Sequence, residues 1–147
     1  MRRSTLTLVT TTSLALAALS SPLAADPWAL ISSVEIEEIE TETEWLVKKS
    51  YPDGLEQGAT LEVTGFLVPL LAQAYQSQFL IVPDPTDCPF CGNGGYGPTL
   101  EVHVATPLPD LPEFSELTVT GRIELIDSTD TYQALWLVDA DWALKGS

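Results

Sequence analysis

From residue 60 onward the chain repeatedly alternates apolar and polar side chains, the period that gives a β-strand two unlike faces. Thr60 to Val68 is the first such run and Pro69 closes it. Gln78 to Val82 is a second, closed by Pro83, and Thr99 to Ala105 a third, closed by Pro107. Leu117 to Ile126 follows with Gly121 inside it, which predicts a bulge or sharp bend there. Tyr132 to Val138 is the fifth. Short strands broken by Pro and Gly predict an all-β fold, a small antiparallel barrel. Closure removes the exposed edges of a five-stranded open sheet, so an OB-like β-barrel is preferred, with a β-sandwich as the alternative. Leu70 to Gln76 reads as a short helical turn or a hairpin tip.

Ahead of the barrel the pattern changes. Asp26 to Ser33 carries Trp28, Leu30 and Ile31 and predicts a short helix or an apolar strap across a barrel mouth. Glu35 to Glu44 holds six Glu among Ile36, Ile39, Thr41 and Thr43. Its β-branched residues favour an extra N-terminal strand, with a bulge at Glu37-Glu38 resetting the phase. Its Glu side chains predict a solvated edge face. Tyr51-Pro52-Asp53-Gly54 and Gln57-Gly58 are turns. The four Trp (Trp28, Trp45, Trp136 and Trp142) are expected as core residues and barrel caps.

Residues 1–25 read as a signal peptide and 26–147 as a single β-barrel domain. Arg2 and Arg3 form a positive n-region, Leu6 to Leu19 is free of charge, and Leu23-Ala24-Ala25 offers a cleavage site. That apolar run is short for a bilayer span. A periplasmic or secreted location follows, with no membrane span after cleavage. The whole chain has 147 residues and a formal net charge of −15. Loss of Arg2 and Arg3, with no acid lost, takes the charge from −15 to −17. Such a surface disfavours nucleic acid and anionic lipid as partners.

The most pointed chemistry lies in Asp84 to Pro98, where Cys88 and Cys91 form a C-x-x-C pair. Thiol–disulfide exchange is one reading. It needs a helix after the first Cys to lower its pKa, and here Gly92-Asn93-Gly94-Gly95 follows. Asp84 and Asp87 would also disfavour a thiolate by like-charge repulsion. Metal binding is the second. Two thiolates suit zinc or copper, and His103 with Asp84, Asp87 or Glu101 would complete a tetrahedral set. Glu101 and His103 are two apart on one predicted strand and therefore share a face. An inert disulfide between Cys88 and Cys91 is the third. The Gly92–Gly97 run matches G-x-G-x-x-G but has no following helix, which excludes a dinucleotide fingerprint. No residues stand out as catalytic.

Gly65-Phe66-Leu67-Val68-Pro69-Leu70, Phe79-Leu80-Ile81-Val82-Pro83, Cys88-Pro89-Phe90-Cys91 and Val119-Thr120-Gly121-Arg122 together give the chain a resemblance. Over about residues 45–140 it resembles a family of uncharacterised exported bacterial proteins, a domain of unknown function. The resemblance implies an OB-type barrel and, since some members are encoded beside zinc-regulated transport genes, an accessory role in metal handling outside the cytoplasm. The implied partner is an exported or membrane transport component. Many relatives carry one Cys before a Pro-rich loop, so the Cys88/Cys91 pair departs from their pattern. The expectation is a binding or accessory protein rather than an enzyme. A redox protein and a structural interaction module with an inert disulfide are the alternatives.

Overall fold

The computed structural model describes residues 26–87 and 98–146. The signal peptide reading, Cys88, Cys91 and the Gly92–Gly97 run lie outside these residues. The elements in chain order are α1 (Pro27–Ser32), β1 (Glu35–Glu40), β2 (Trp45–Ser50), β3 (Thr60–Pro69), β4 (Tyr75–Val82), β5 (Leu100–Pro109), β6 (Glu116–Leu125) and β7 (Leu135–Leu144). A 3-10 turn at Pro85–Asp87 follows β4. Among the described residues no helix is long and apolar enough to cross a membrane.

Strands β3 to β7 close into a barrel in the order β3-β4-β5-β7-β6. Every neighbouring pair is antiparallel except β5 and β7, which run parallel. The all-β, OB-like expectation therefore holds. Alternation along each strand sends one set of side chains inward. Val63, Leu67, Phe79, Ile81, Leu100, Val102, Leu117, Val119, Ile123 and Leu137 fill the interior and are essentially inaccessible to solvent. Burying this apolar area is the main force holding the barrel closed.

The bends have local causes. The β6–β7 register slips between Thr120 and Arg122, where Gly121 was expected to bulge. The extra residue lies on β7, at Asp139, whose φ is 49°. β7 slips against β5 at the same level. A Cβ on Gly121 would sit 2.9 Å from the Ala140 Cβ, so only glycine lets the two strands approach here. On β5, Pro107 does not end the strand. Residues 104–107 are skipped by the β4 register, which passes from His103 to Leu108, and a proline there removes no β4–β5 ladder bond. β4 starts at Tyr75 rather than Gln78, and the Leu70–Ala74 connection is irregular rather than helical.

Helix α1 realises the short-helix reading. The Asp26 carboxylate accepts from the Trp28 backbone N–H, and Pro27 occupies the first turn, where no N–H is needed. The Trp28 indole N–H donates to the Thr64 carbonyl at 2.7 Å. Its ring lies where a Gly65 Cβ would be, 2.9 Å away. Trp28, Leu30 and Ile31 thus pack on the barrel core, as does Trp142. Trp45 departs from the expected role, being 41% exposed and set edge-on against Tyr132.

The acidic run is not one strand. β1 ends at Glu40, and Thr41 to Glu44 form a turn in which the Thr41 hydroxyl accepts from the Glu44 N–H at 2.9 Å. The chain returns as β2, in unbroken register from Glu35–Ser50 to Glu40–Trp45. The bulge expected at Glu37-Glu38 is absent. Without it Ile36 shares a face with Glu38 and Glu40, while Ile39 lies on the other face opposite Leu46. No residue of β1 is buried, so no core selects a phase and no bulge is needed. The hairpin is held to the barrel through β2 and the residues after it. Val47 is buried, and its N–H donates to the Thr129 carbonyl. The Lys49 ammonium bonds the carbonyls of Ile126 and Ser128.

Candidate functional site

Two of the residues singled out by spacing, Glu101 and His103, meet on the outer face of the barrel at β4, β5 and β7. Register sets Gln78 of β4 opposite His103 of β5, and Glu101 of β5 opposite Trp136 of β7. Inward Leu100 and Val102 fix the phase, so Glu101 and His103 both point out of the barrel. His103 Nε2 lies 2.8 Å from Glu101 Oε1, and His103 Nδ1 lies 3.4 Å from the Gln78 side-chain nitrogen. The His103 ring stacks on Trp136 with centroids 5.0 Å apart and planes inclined 25°. The Gln133 side-chain amide donates to the other Glu101 oxygen.

This arrangement fixes a tautomer. An ionised carboxylate only accepts, so the proton of a neutral His103 belongs on Nε2. The Nδ1 lone pair is then left facing the weak Gln78 contact. Stacking on Trp136 and the Glu101 bond hold the ring while leaving its side chain 25% exposed. Such a histidine can offer Nδ1 to a metal ion, with Glu101 orienting the ring rather than ligating. The Trp136 indole N–H is buried and has no partner among the described residues.

The acidic candidates Asp84 and Asp87 lie on the segment that leads to the cysteines. Asp87 ends the 3-10 turn at Pro85–Asp87, immediately before the cysteines. Asp84 opens that turn, accepting from the Thr86 N–H at 2.8 Å and its hydroxyl at 2.7 Å. Those bonds hold the Asp84 carboxyl below its ordinary pKa and occupy one of its oxygens. Among the described residues no three His, Cys, Asp or Glu side chains form a metal-binding group. Glu101 and His103 are brought together, and the two cysteines lie outside the described residues.

Beside this pair opens a cleft of about 850 Å³ between α1, β1 and the barrel. Ile31, Val34, Ile36, Leu80, Tyr132 and Leu135 supply its apolar walls, and Glu38 and Glu101 its charges. Its size and mixed lining fall in the range of ligand-binding clefts. Sequence reasoning missed Trp136 and Gln78 as neighbours of His103 and Gln133 as a partner of Glu101, and missed the cleft. Cross-strand register decides those neighbours, and one strand's periodicity does not contain it.

Comparison with protein-family models, curated proteins and solved structures finds no match to this chain.

Proposed function

We propose that the protein is an exported binding protein in transition-metal handling, with zinc as its first candidate ion. The observation that carries this reading is the Glu101–His103 pair. Nε2 is committed to a carboxylate at 2.8 Å, and Nδ1 keeps only a 3.4 Å contact. That is the arrangement by which proteins orient a ligating imidazole. Cys88 and Cys91 would supply soft thiolate ligands, and Asp87 a further oxygen. The chain reaches Glu101 four residues after the cysteine-bearing segment ends at Gly97, so the pieces lie within reach along the chain. Resemblance to exported proteins linked to zinc-regulated transport points the same way. The acidic surface favours cations in general.

Zinc titration of purified protein, with bound metal measured after dialysis, tests the reading. One ion per chain is expected. His103→Ala and Cys88→Ser should abolish tight binding, and Glu101→Gln should weaken it about 10- to 100-fold. Zinc uptake unaltered by His103→Ala would remove the imidazole from the site. Metal-free protein with a readily reduced Cys88–Cys91 bond would favour the redox alternative, and one resistant to glutathione the structural disulfide.

A further inference from the structure

The cleft has a second property that metal binding does not use: one of its walls is a strand with an open edge. We infer that this cleft takes an extended basic segment of a partner protein, which adds as a strand along β1. Among the described residues β1 pairs only with β2. β2 in turn reaches the 126–131 segment through the Val47 N–H and the Lys49 ammonium. Among the described residues no strand pairs with the other edge of β1, while the barrel is closed and offers no edge. An unpaired strand edge is a template for a further strand.

The side chains facing the cleft select what such a strand must carry. From β1 these are Ile36 and Glu38, which share one face. Across the cleft stand Leu80, Tyr132 and Leu135, with Glu101 among them. An added strand would set apolar side chains beside Ile36, Leu80 and Leu135 and a Lys or Arg near Glu38, since both Glu101 oxygens already accept from His103 and Gln133.

Charge identifies the partner. The described residues contain four Lys or Arg, and each is already engaged. Lys48 lies 4.0 Å from Glu37, Lys145 2.6 Å from Glu116, Arg122 pairs with Asp139, and Lys49 bonds backbone carbonyls. None lines the cleft. A second copy of a chain with net charge −15 would meet this surface with repulsion, whereas a basic segment is drawn to it. This inference goes beyond the metal reading and does not depend on it.

The test uses a labelled peptide of alternating Lys and Val, about six residues long to match β1. Fluorescence anisotropy should report saturable binding to the metal-free protein that weakens with added salt. A peptide of equal composition with Lys and Val in blocks should bind at least about tenfold more weakly. So should one N-methylated at alternate amides, which keeps its charge but cannot form the ladder. Ile36→Lys and Glu38→Lys should each weaken binding about tenfold or more, while circular dichroism of both variants stays that of the parent. Equal affinity for alternating and blocked peptides would reduce the effect to unspecific charge and overturn the proposal. Equal affinity for the N-methylated peptide, or for both variants, would overturn it too. Binding seen only after residues 88–97 are replaced by a Gly-Ser linker would assign the cleft to the chain itself. A dimer that excludes the peptide would assign it to a second copy. Either result would overturn the proposal, and none of them bears on zinc uptake.

Discussion

The barrel and the β1–β2 hairpin solve the same problem, pairing backbone in a strand, by opposite means. In the barrel each strand has two neighbours and one buried face, so hydrogen bonding and apolar burial reinforce each other. The hairpin has two strands, and β1 exposes all six of its residues, Ile36 at 43% and Ile39 at 38%. Two-stranded ribbons are marginal in water. What keeps this one in place is attachment through Val47, Lys49 and Tyr51 to the 126–134 segment. Stability therefore resides in the barrel, and the open edge resides in the part that contributes least to it.

Truncation in the two regions should expose that contrast most strongly. Leu137 is fully buried in the barrel core, and Leu137→Ala should cost about 2–5 kcal/mol in chemical denaturation. Ile39→Ala, on the hairpin's outer face, should change stability by about 0.5 kcal/mol or less. Comparable losses at both sites would mean that the hairpin and the barrel form one cooperative core.

Gly65→Ala probes the seam between the barrel and its N-terminal cap. Its new methyl would meet the Val82 carbonyl at 2.7 Å and the Trp28 ring at 2.9 Å. The carbonyl belongs to the β3–β4 ladder and has little room to move, so the Trp28 ring should be displaced. A loss of about 1–3 kcal/mol is expected, as for overpacked cores, with a red shift of tryptophan emission. An unshifted spectrum would show that the ring does not depend on this gap.

The same contrast explains what could be read in advance. β3, β5 and β6 were legible because one face is buried, so alternation survives in the sequence. The ends were less legible. Gln76 is polar yet only 2% exposed, which hid the start of β4, and Pro107 hid the continuation of β5. The hairpin is not legible because neither face of β1 is buried, so Ile36 and Ile39 imply a bulge that the register does not contain. At the candidate site, spacing alone placed Glu101 beside His103. Trp136 and Gln78 arrive from other strands through register, which is a tertiary fact.

Removing the hairpin's anchor should have a smaller effect. The Tyr51 hydroxyl lies 3.0 Å from the Ile126 carbonyl and 2.9 Å from that of Ala134. Tyr51→Phe deletes this donor and should cost about 0.5–1.5 kcal/mol. Amide exchange should rise in residues 45–50 more than in the barrel, because the hairpin can loosen without global unfolding. Uniform acceleration across both regions would refute that local character.

The smallest effect is electrostatic and lies at alkaline pH. Burial, and then the Asp127 carboxylate, raise the Tyr51 pKa above its ordinary 10.0. The folded state thus holds the phenolic proton more tightly than the unfolded chain. Stability from this group is fully present below pH 10.0 and is lost as pH rises through the folded value. Lys49 acts in the opposite sense. Burial lowers its pKa from 10.5, against the pull of Asp127 and Asp130, so the unfolded state binds the extra proton. Stability from Lys49 therefore increases as pH rises toward 10.5. In the parent protein the two slopes oppose each other. Tyr51→Phe removes one of them, so its stability should fall less steeply above pH 10 than that of the parent, although it starts lower. Parallel pH profiles for the two proteins would mean that the phenol does not titrate with hairpin attachment. The anchor would then act through its packed ring rather than its hydroxyl.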